Sequence, residues 1–171
     1  MYKVIGVLLV VLVMSLGIYS LFGSAEKEGK FTISSVPTFN KEDWQEGTTI
    51  YFGYKIDWEG DTRPTLTNVE VKRNGMKIGS NDQQFSITPY VFDEKSSSNL
   101  IGVLSEQFVD RDTLMPVNGH MVDDHFYLVL SVELLDSSVN TDVDTLEITY
   151  KINNSTNTVE LPLEKGFITN E

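Results

Sequence analysis

The sequence predicts an all-β protein: a single antiparallel β-sandwich carried behind one N-terminal transmembrane helix. Three observations predict it. No charged side chain occurs from Val4 to Gly23. Several later segments alternate apolar and polar residues with period two, the repeat of a strand. Turn signals separate those segments at short intervals.

The apolar segment comes first. Val4, Ile5, Val7, Leu8, Leu9, Val10, Val11, Leu12 and Val13 run on into Leu16, Ile18, Leu21 and Phe22. As a helix it reaches roughly 30 Å, the thickness of a bilayer's hydrocarbon core. A helix also satisfies its own backbone groups in lipid. Lys3 precedes the run, whereas Glu26, Lys27, Glu28 and Lys30 after it cancel. The positive-inside rule then leaves residues 1–3 as a cytoplasmic stub and 4–23 as the span. The alternative is a cleaved signal peptide, with Gly23-Ser24-Ala25 as the small-residue site and a secreted product. Both readings export the rest of the chain. Residues 24–30 form a polar linker that extends at most about 25 Å, so the domain over 31–171 sits close to the membrane.

In that domain Thr48, Ile50, Phe52, Tyr54, Ile56 and Trp58 occupy alternate positions and should face the core. Gly53 in mid-strand suggests a bulge or a close backbone contact. Arg73-Asn74-Gly75-Met76 calls for a two-residue type I′ hairpin. It pairs Arg73 with Met76, Lys72 with Lys77 and Val71 with Ile78, and puts Val69, Val71, Met76 and Ile78 on one face. Lys72 opposite Lys77 is a like-charge conflict that requires both to be solvated. Phe126, Leu128, Leu130, Val132 and Leu134 mark another strand, and Leu146, Ile148, Tyr150 and Ile152 a further one. A turn over residues 154–157 leads to Val159, Leu161 and Leu163. Residues 31–36 and 84–92 read as additional strands. In the stretch after residue 92, Leu100, Ile101, Leu104 and Phe108 fall at helical spacing. This gives a short helix near 99–108, with a buried crossover strand as the alternative. Pro116, Asn118 and Gly119 then mark an open turn.

Seven or eight such strands resemble the immunoglobulin-like sandwiches in architecture. The Cys…Trp…Cys signature of that family is missing, because the chain has no cysteine. Without disulfides, about 140 exported residues must bury a core unaided, which a domain of that size can do. Such a domain suits a bacterial cell envelope.

Charge narrows the partners. The chain holds 25 Asp and Glu against 13 Lys and Arg, for a formal net charge of −12. Nucleic acid is excluded as a partner, since binding it needs clustered cations. No Gly-rich phosphate loop and no nucleophile elbow occur, so no cofactor and no catalytic residues are expected.

Three groups could carry function. Tyr51, Gly53, Tyr127 and Val129 lie on the second face of the two strongest strands. They form either an apolar interface patch or a face covered by a loop or short helix. Asp136, Asn140, Asp142 and Asp144 are oxygen donors close in sequence. They suit a calcium loop, although Asn and Asp are also ordinary turn formers. His120 and His125 bracket Asp123 and Asp124 and could share a transition metal, but an odd spacing on a strand would send them to opposite faces.

The expected function is therefore a membrane-anchored extracytoplasmic binding or accessory module. It is held to the bilayer through residues 4–23 and acts on a protein or envelope component. The alternatives are a calcium-dependent adhesion or stability module, and an envelope hydrolase with an acidic pair.

Overall fold

Alternation along the sequence becomes strand pairing in the computed structural model, which describes residues 29–79, 81–92, 101–138 and 141–169. The strands are β1 (Phe31–Ile33), β2 (Phe39–Asn40), β3 (Thr49–Trp58), β4 (Thr65–Arg73), β5 (Met76–Lys77) and β6 (Phe85–Phe92). They continue with β7 (Gly102–Ser105), β8 (Leu114–Pro116), β9 (His125–Leu134), β10 (Thr145–Ile152), β11 (Ser155–Pro162) and β12 (Ile168–Thr169). The expected span over 4–23 lies outside the described residues. Among the described residues no helix is long and apolar enough to cross a membrane.

Two antiparallel sheets share one core, an arrangement consistent with a β-sandwich. The larger sheet runs β1-β3-β9-β6-β8, with β7 added to β3. The smaller runs β11-β10-β4-β5. A short parallel pair, β2 with β12, stands apart. Ile50, Phe52, Tyr54, Ile56 and Trp58 from β3 enter the core with Phe126, Leu128, Leu130, Val132 and Leu134 from β9. Leu66, Val69 and Val71 from β4 meet them from the other sheet, with Leu146, Ile148 and Tyr150 from β10. The aromatic rings interlock. Phe52 stacks on Phe167 at 4.7 Å, and Trp44 stacks on Phe85 at 5.7 Å between centroids.

The Asn74-Gly75 hairpin closes in the expected register, Arg73 opposite Met76 and Lys72 opposite Lys77. Both turn residues take positive φ, 52° and 75°. This is the backbone a type I′ turn needs, and glycine adopts it without steric cost.

Five local expectations are corrected. Gly53 makes no bulge: β3 pairs with β9 without interruption from Thr49 to Asp57. The register shift falls instead between β4 and β10, at Thr149/Tyr150. Met76 is 71% exposed, because the hairpin tip overshoots the core. Lys72 is buried rather than solvated. The turn after β10 is Asn153-Asn154 alone, since Ile152 already pairs with Ser155; Asn153 takes φ 54°, which asparagine tolerates.

The fifth correction concerns the helix near 99–108. Residues 99 and 100 lie outside the described residues. Gly102–Ser105 is a strand, followed by a 3-10 turn at Glu106–Phe108. The open edge of β3 demands backbone partners, and β7 supplies them from Ile50 to Gly53. Gly102 at φ 106° is incompatible with a helix. Phe108, which the helical spacing assigned to an apolar face, is 66% exposed.

Candidate functional site

The sequence singled out Tyr51, Gly53, Tyr127 and Val129, and the strand register brings them onto one sheet face. Gly53 lies opposite Val129, Lys55 opposite Tyr127, and Tyr51 opposite Ser131. That face is covered. Tyr51 and Val129 are 2% and 1% exposed, Gly53 is buried, and Tyr127 is half-buried. Tyr51 and Val129 belong to a second apolar cluster with Phe92 and Val109, against which Tyr127, Tyr90, Leu104 and Leu114 pack. The segment from β7 to β8 forms the lid. Within it, hydrogen bonding to Tyr51 and then the charge of Glu106 push the Arg111 guanidinium further up. Of the two expected states of this face, the covered one is present among the described residues.

Among the described residues, the carboxylates of the acidic loop do not converge. Each carboxylate is turned to backbone or hydroxyl groups near it. Asp136 accepts from the Ser138 N–H at 2.8 Å and its hydroxyl at 2.6 Å, which holds its carboxyl below the usual range. Asp144 accepts from the Thr145 hydroxyl at 2.6 Å and from the Asn74 N–H. Asp142 accepts from the N–H groups of Val143, Phe167 and Ile168 at 2.7, 2.9 and 2.7 Å. Burial nevertheless pushes its carboxyl up. Its work is to pin the chain entering β12 beneath the sandwich. Asn140 lies outside the described residues.

The two imidazoles also have separate surroundings. His120 sits in a turn, its N–H donating to the Val117 carbonyl at 3.1 Å, with its ring beside Phe126. His125 opens β9 opposite Asp57, its ring edge-on to Tyr127 at 5.4 Å. Among the described residues no group of three or more His, Asp or Glu side chains could hold a metal ion.

What sequence reasoning missed is a charged ladder across the outer face of the smaller sheet. Glu160, Glu147 and Glu70 lie directly opposite one another on β11, β10 and β4. Three carboxylates in line would repel. Lys72 bridges two of them, contacting Glu147 and reaching Glu160 at 2.6 Å. Lys77 bridges Glu70 and Glu147, the latter at 3.2 Å. The Lys72–Lys77 conflict thus resolves through carboxylates rather than through solvent. Hydrogen bonds to Glu147 and then Glu160 push Lys72 up to about 12. Glu70, then Glu147, raise Lys77. Lys72 first, opposed by burial, holds Glu147 below the usual carboxylate range. No local pattern betrays this cluster; it exists only once β4, β10 and β11 are in register.

Among the described residues, one concavity of about 400 Å³ lies beside the hairpin, lined by Arg73, Lys77 and Asp82 among others, and another of about 430 Å³ forms a groove between β1 and the end of β11. Phe31, Ile33, Val36 and Leu161 contribute to its lining, with Lys30, Lys165 and Glu164 as its charged residues. It is cationic by one charge in a strongly acidic chain.

Comparison of the chain with protein-family models, with curated proteins and with solved structures finds no match.

Proposed function

We propose that this protein is a single-pass membrane protein whose β domain works outside the cytoplasm as a binding or accessory module, in a cell envelope of bacterial type. The observation that carries this reading is the uncharged segment Val4–Gly23 directly ahead of the β domain. It has the length of a bilayer core, with Lys3 on its N-terminal side. The shared aromatic core supports it further, because a cysteine-free domain outside the cell depends on buried area alone. In its broad layout we assign the domain to the immunoglobulin-like sandwiches, on the strength of two antiparallel sheets over one core. The β1–β11 groove is the surface assigned to a protein or envelope component, since it joins an apolar floor to two lysines.

Protease added to whole protoplasts tests the topology. The domain should be digested from outside while an N-terminal tag survives, and the full-length mass should stay with the membranes through alkaline extraction. A domain that resists protease until the protoplasts are lysed would overturn the proposal. Recovery of a soluble product beginning near Ala25 would replace the anchor with a cleaved signal. Photocrosslinking from Ile33 in intact cells should then capture the component that occupies the groove.

A further inference from the structure

Among the described residues, five strands close the lateral edges of the two sheets: β1, β7 and β8 on the larger, β5 and β11 on the smaller. A free edge presents unpaired N–H and C=O groups, and proteins guard such edges with brevity, proline, lysine or bulges. Four of the five are guarded. β1 has three residues beside Lys30, and β5 has two, one of them Lys77. β8 has three and ends in Pro116, while β7 has four and starts at Gly102, which has positive φ. The stretch of β6 that β8 does not pair, residues 85–89, carries Pro89.

Residues 67–70 of β4, which β5 does not reach, form a second unguarded stretch of four residues, and β11 is the longer one. It runs for eight residues, and its pairing with β10 shows no register shift from Ser155 to Pro162. It bears no lysine, and proline only at its last position. The two-residue turn makes Ile152 and Ser155 a hydrogen-bonded pair, so Ser155, Asn157, Val159 and Leu161 bond toward β10. Thr156, Thr158 and Glu160 therefore direct their N–H and C=O groups outward. All three are exposed, and no described residue pairs with that side.

Charge decides which occupant fits. At a net charge of −12, two copies of this chain repel over most of their surface. Residues 155–159 carry no charge, and Glu160 is already held by Lys72. This edge is where two copies can approach without opposing charge. We infer that β11 pairs antiparallel with β11 of a second copy, about a two-fold axis at Thr158, joining the two smaller sheets into one. In that register Thr158 faces its own equivalent, and Thr156 faces Glu160 of the partner copy. Each Thr156 hydroxyl then has the Glu160 carboxylate of the other copy to donate to. About six backbone hydrogen bonds form, and Pro162 ends the pairing. Confinement to a membrane would raise the effective concentration for so small an interface, but the inference does not depend on the anchor.

The cysteine-free background makes the test direct. Thr158→Cys in the full chain, oxidised mildly in intact membranes, should yield a disulfide-linked species of twice the chain mass. Self-opposed bonded residues have Cα atoms about 5.5 Å apart, within disulfide range. Met76→Cys, also exposed but on the opposite edge, should stay monomeric, and Asn157→Cys should link less than Thr158→Cys. Thr158→Pro, which removes the central outward N–H, should abolish the dimer of the detergent-solubilised chain in sedimentation while leaving its circular dichroism unchanged. Equal crosslinking of Thr158→Cys and Met76→Cys would overturn the inference. So would a product whose mass shows a different protein, or a wild-type chain that sediments only as a monomer.

Discussion

On the larger sheet, the face turned away from the shared core carries Tyr51, Val129 and Tyr127. On the smaller sheet the equivalent face carries Glu70, Lys72, Glu147 and Glu160. In sequence both strand sets alternate in the same way, with apolar residues at one parity and mixed residues at the other. Their outer faces nevertheless end in opposite states. The first is sealed by the β7–β8 segment into a second apolar cluster. The second has no such lid among the described residues, and its charges neutralise one another. An outer face holding tyrosine and valine gains by recruiting cover, at roughly 25 cal/mol per Å² of apolar surface removed from water. An outer face of Glu and Lys would lose hydration under a lid, so it stays open and pairs laterally.

The largest expected effect breaks this contrast at the covered face. Phe92 is 5% exposed and belongs to the second cluster, not to the shared core. Phe92→Ala should cost about 3–5 kcal/mol in urea unfolding followed by Trp44 and Trp58 fluorescence. Thr149→Ala, on the open face, should stay within about 0.5 kcal/mol. Equal small effects would mean that the lid contributes nothing and that the two faces are alike.

A smaller effect is expected where both strands of the open sheet depend on one turn. Gly75 sits at φ 75° with nothing near the position of a side chain. Gly75→Val should therefore cost roughly 1–2 kcal/mol through backbone strain alone, with no clash to relieve. It should also loosen β5 and with it Lys77, so exchange of the Ile78 amide, which donates to the Val71 carbonyl, should quicken. Unchanged exchange would place the register of β5 in the charged ladder rather than in the turn.

Much of this architecture was legible residue by residue. The core faces of β3, β9 and β10 follow from period-two alternation, and the Asn74-Gly75 hairpin from the demand for positive φ. For the start of the lid, the spacing of Leu100, Ile101, Leu104 and Phe108 predicts a short helix near 99–108, with a buried crossover strand as the alternative. A one-dimensional pattern does not register that β3 has an edge to fill. The candidate site was less legible still. Asp136, Asp142 and Asp144 look like a shared oxygen cage in sequence, but the structure spends each on nearby backbone or hydroxyl groups. The ladder is the converse case. Its five members come from four strands, and no window of sequence contains even half of the pairings.

The finest test of the contrast uses pH, because only the open face should respond to removal of Lys72. Glu147 is depressed in the folded state, so its contribution to stability is present above the unfolded carboxylate range and fades as pH falls through the folded value. Lys72 is raised, so its contribution is complete below the ordinary lysine value of 10.5 and fades as pH rises through about 12. The wild-type ladder should thus add stability across the neutral range and lose it at both ends. Lys72→Met leaves Glu160, Glu147 and Glu70 in line with Lys77 alone, and the carboxylate farthest from it, Glu160, has nothing to offset its neighbour. Repulsion then raises the carboxyl pKa values, and the sign reverses: this variant should gain stability, relative to wild type, as pH falls through the carboxylate range. Thermal midpoints of the two proteins should converge toward low pH and separate toward neutrality. Parallel profiles would show that the glutamates are held apart by solvent and not by Lys72, and the open face would then be a row of independent charges.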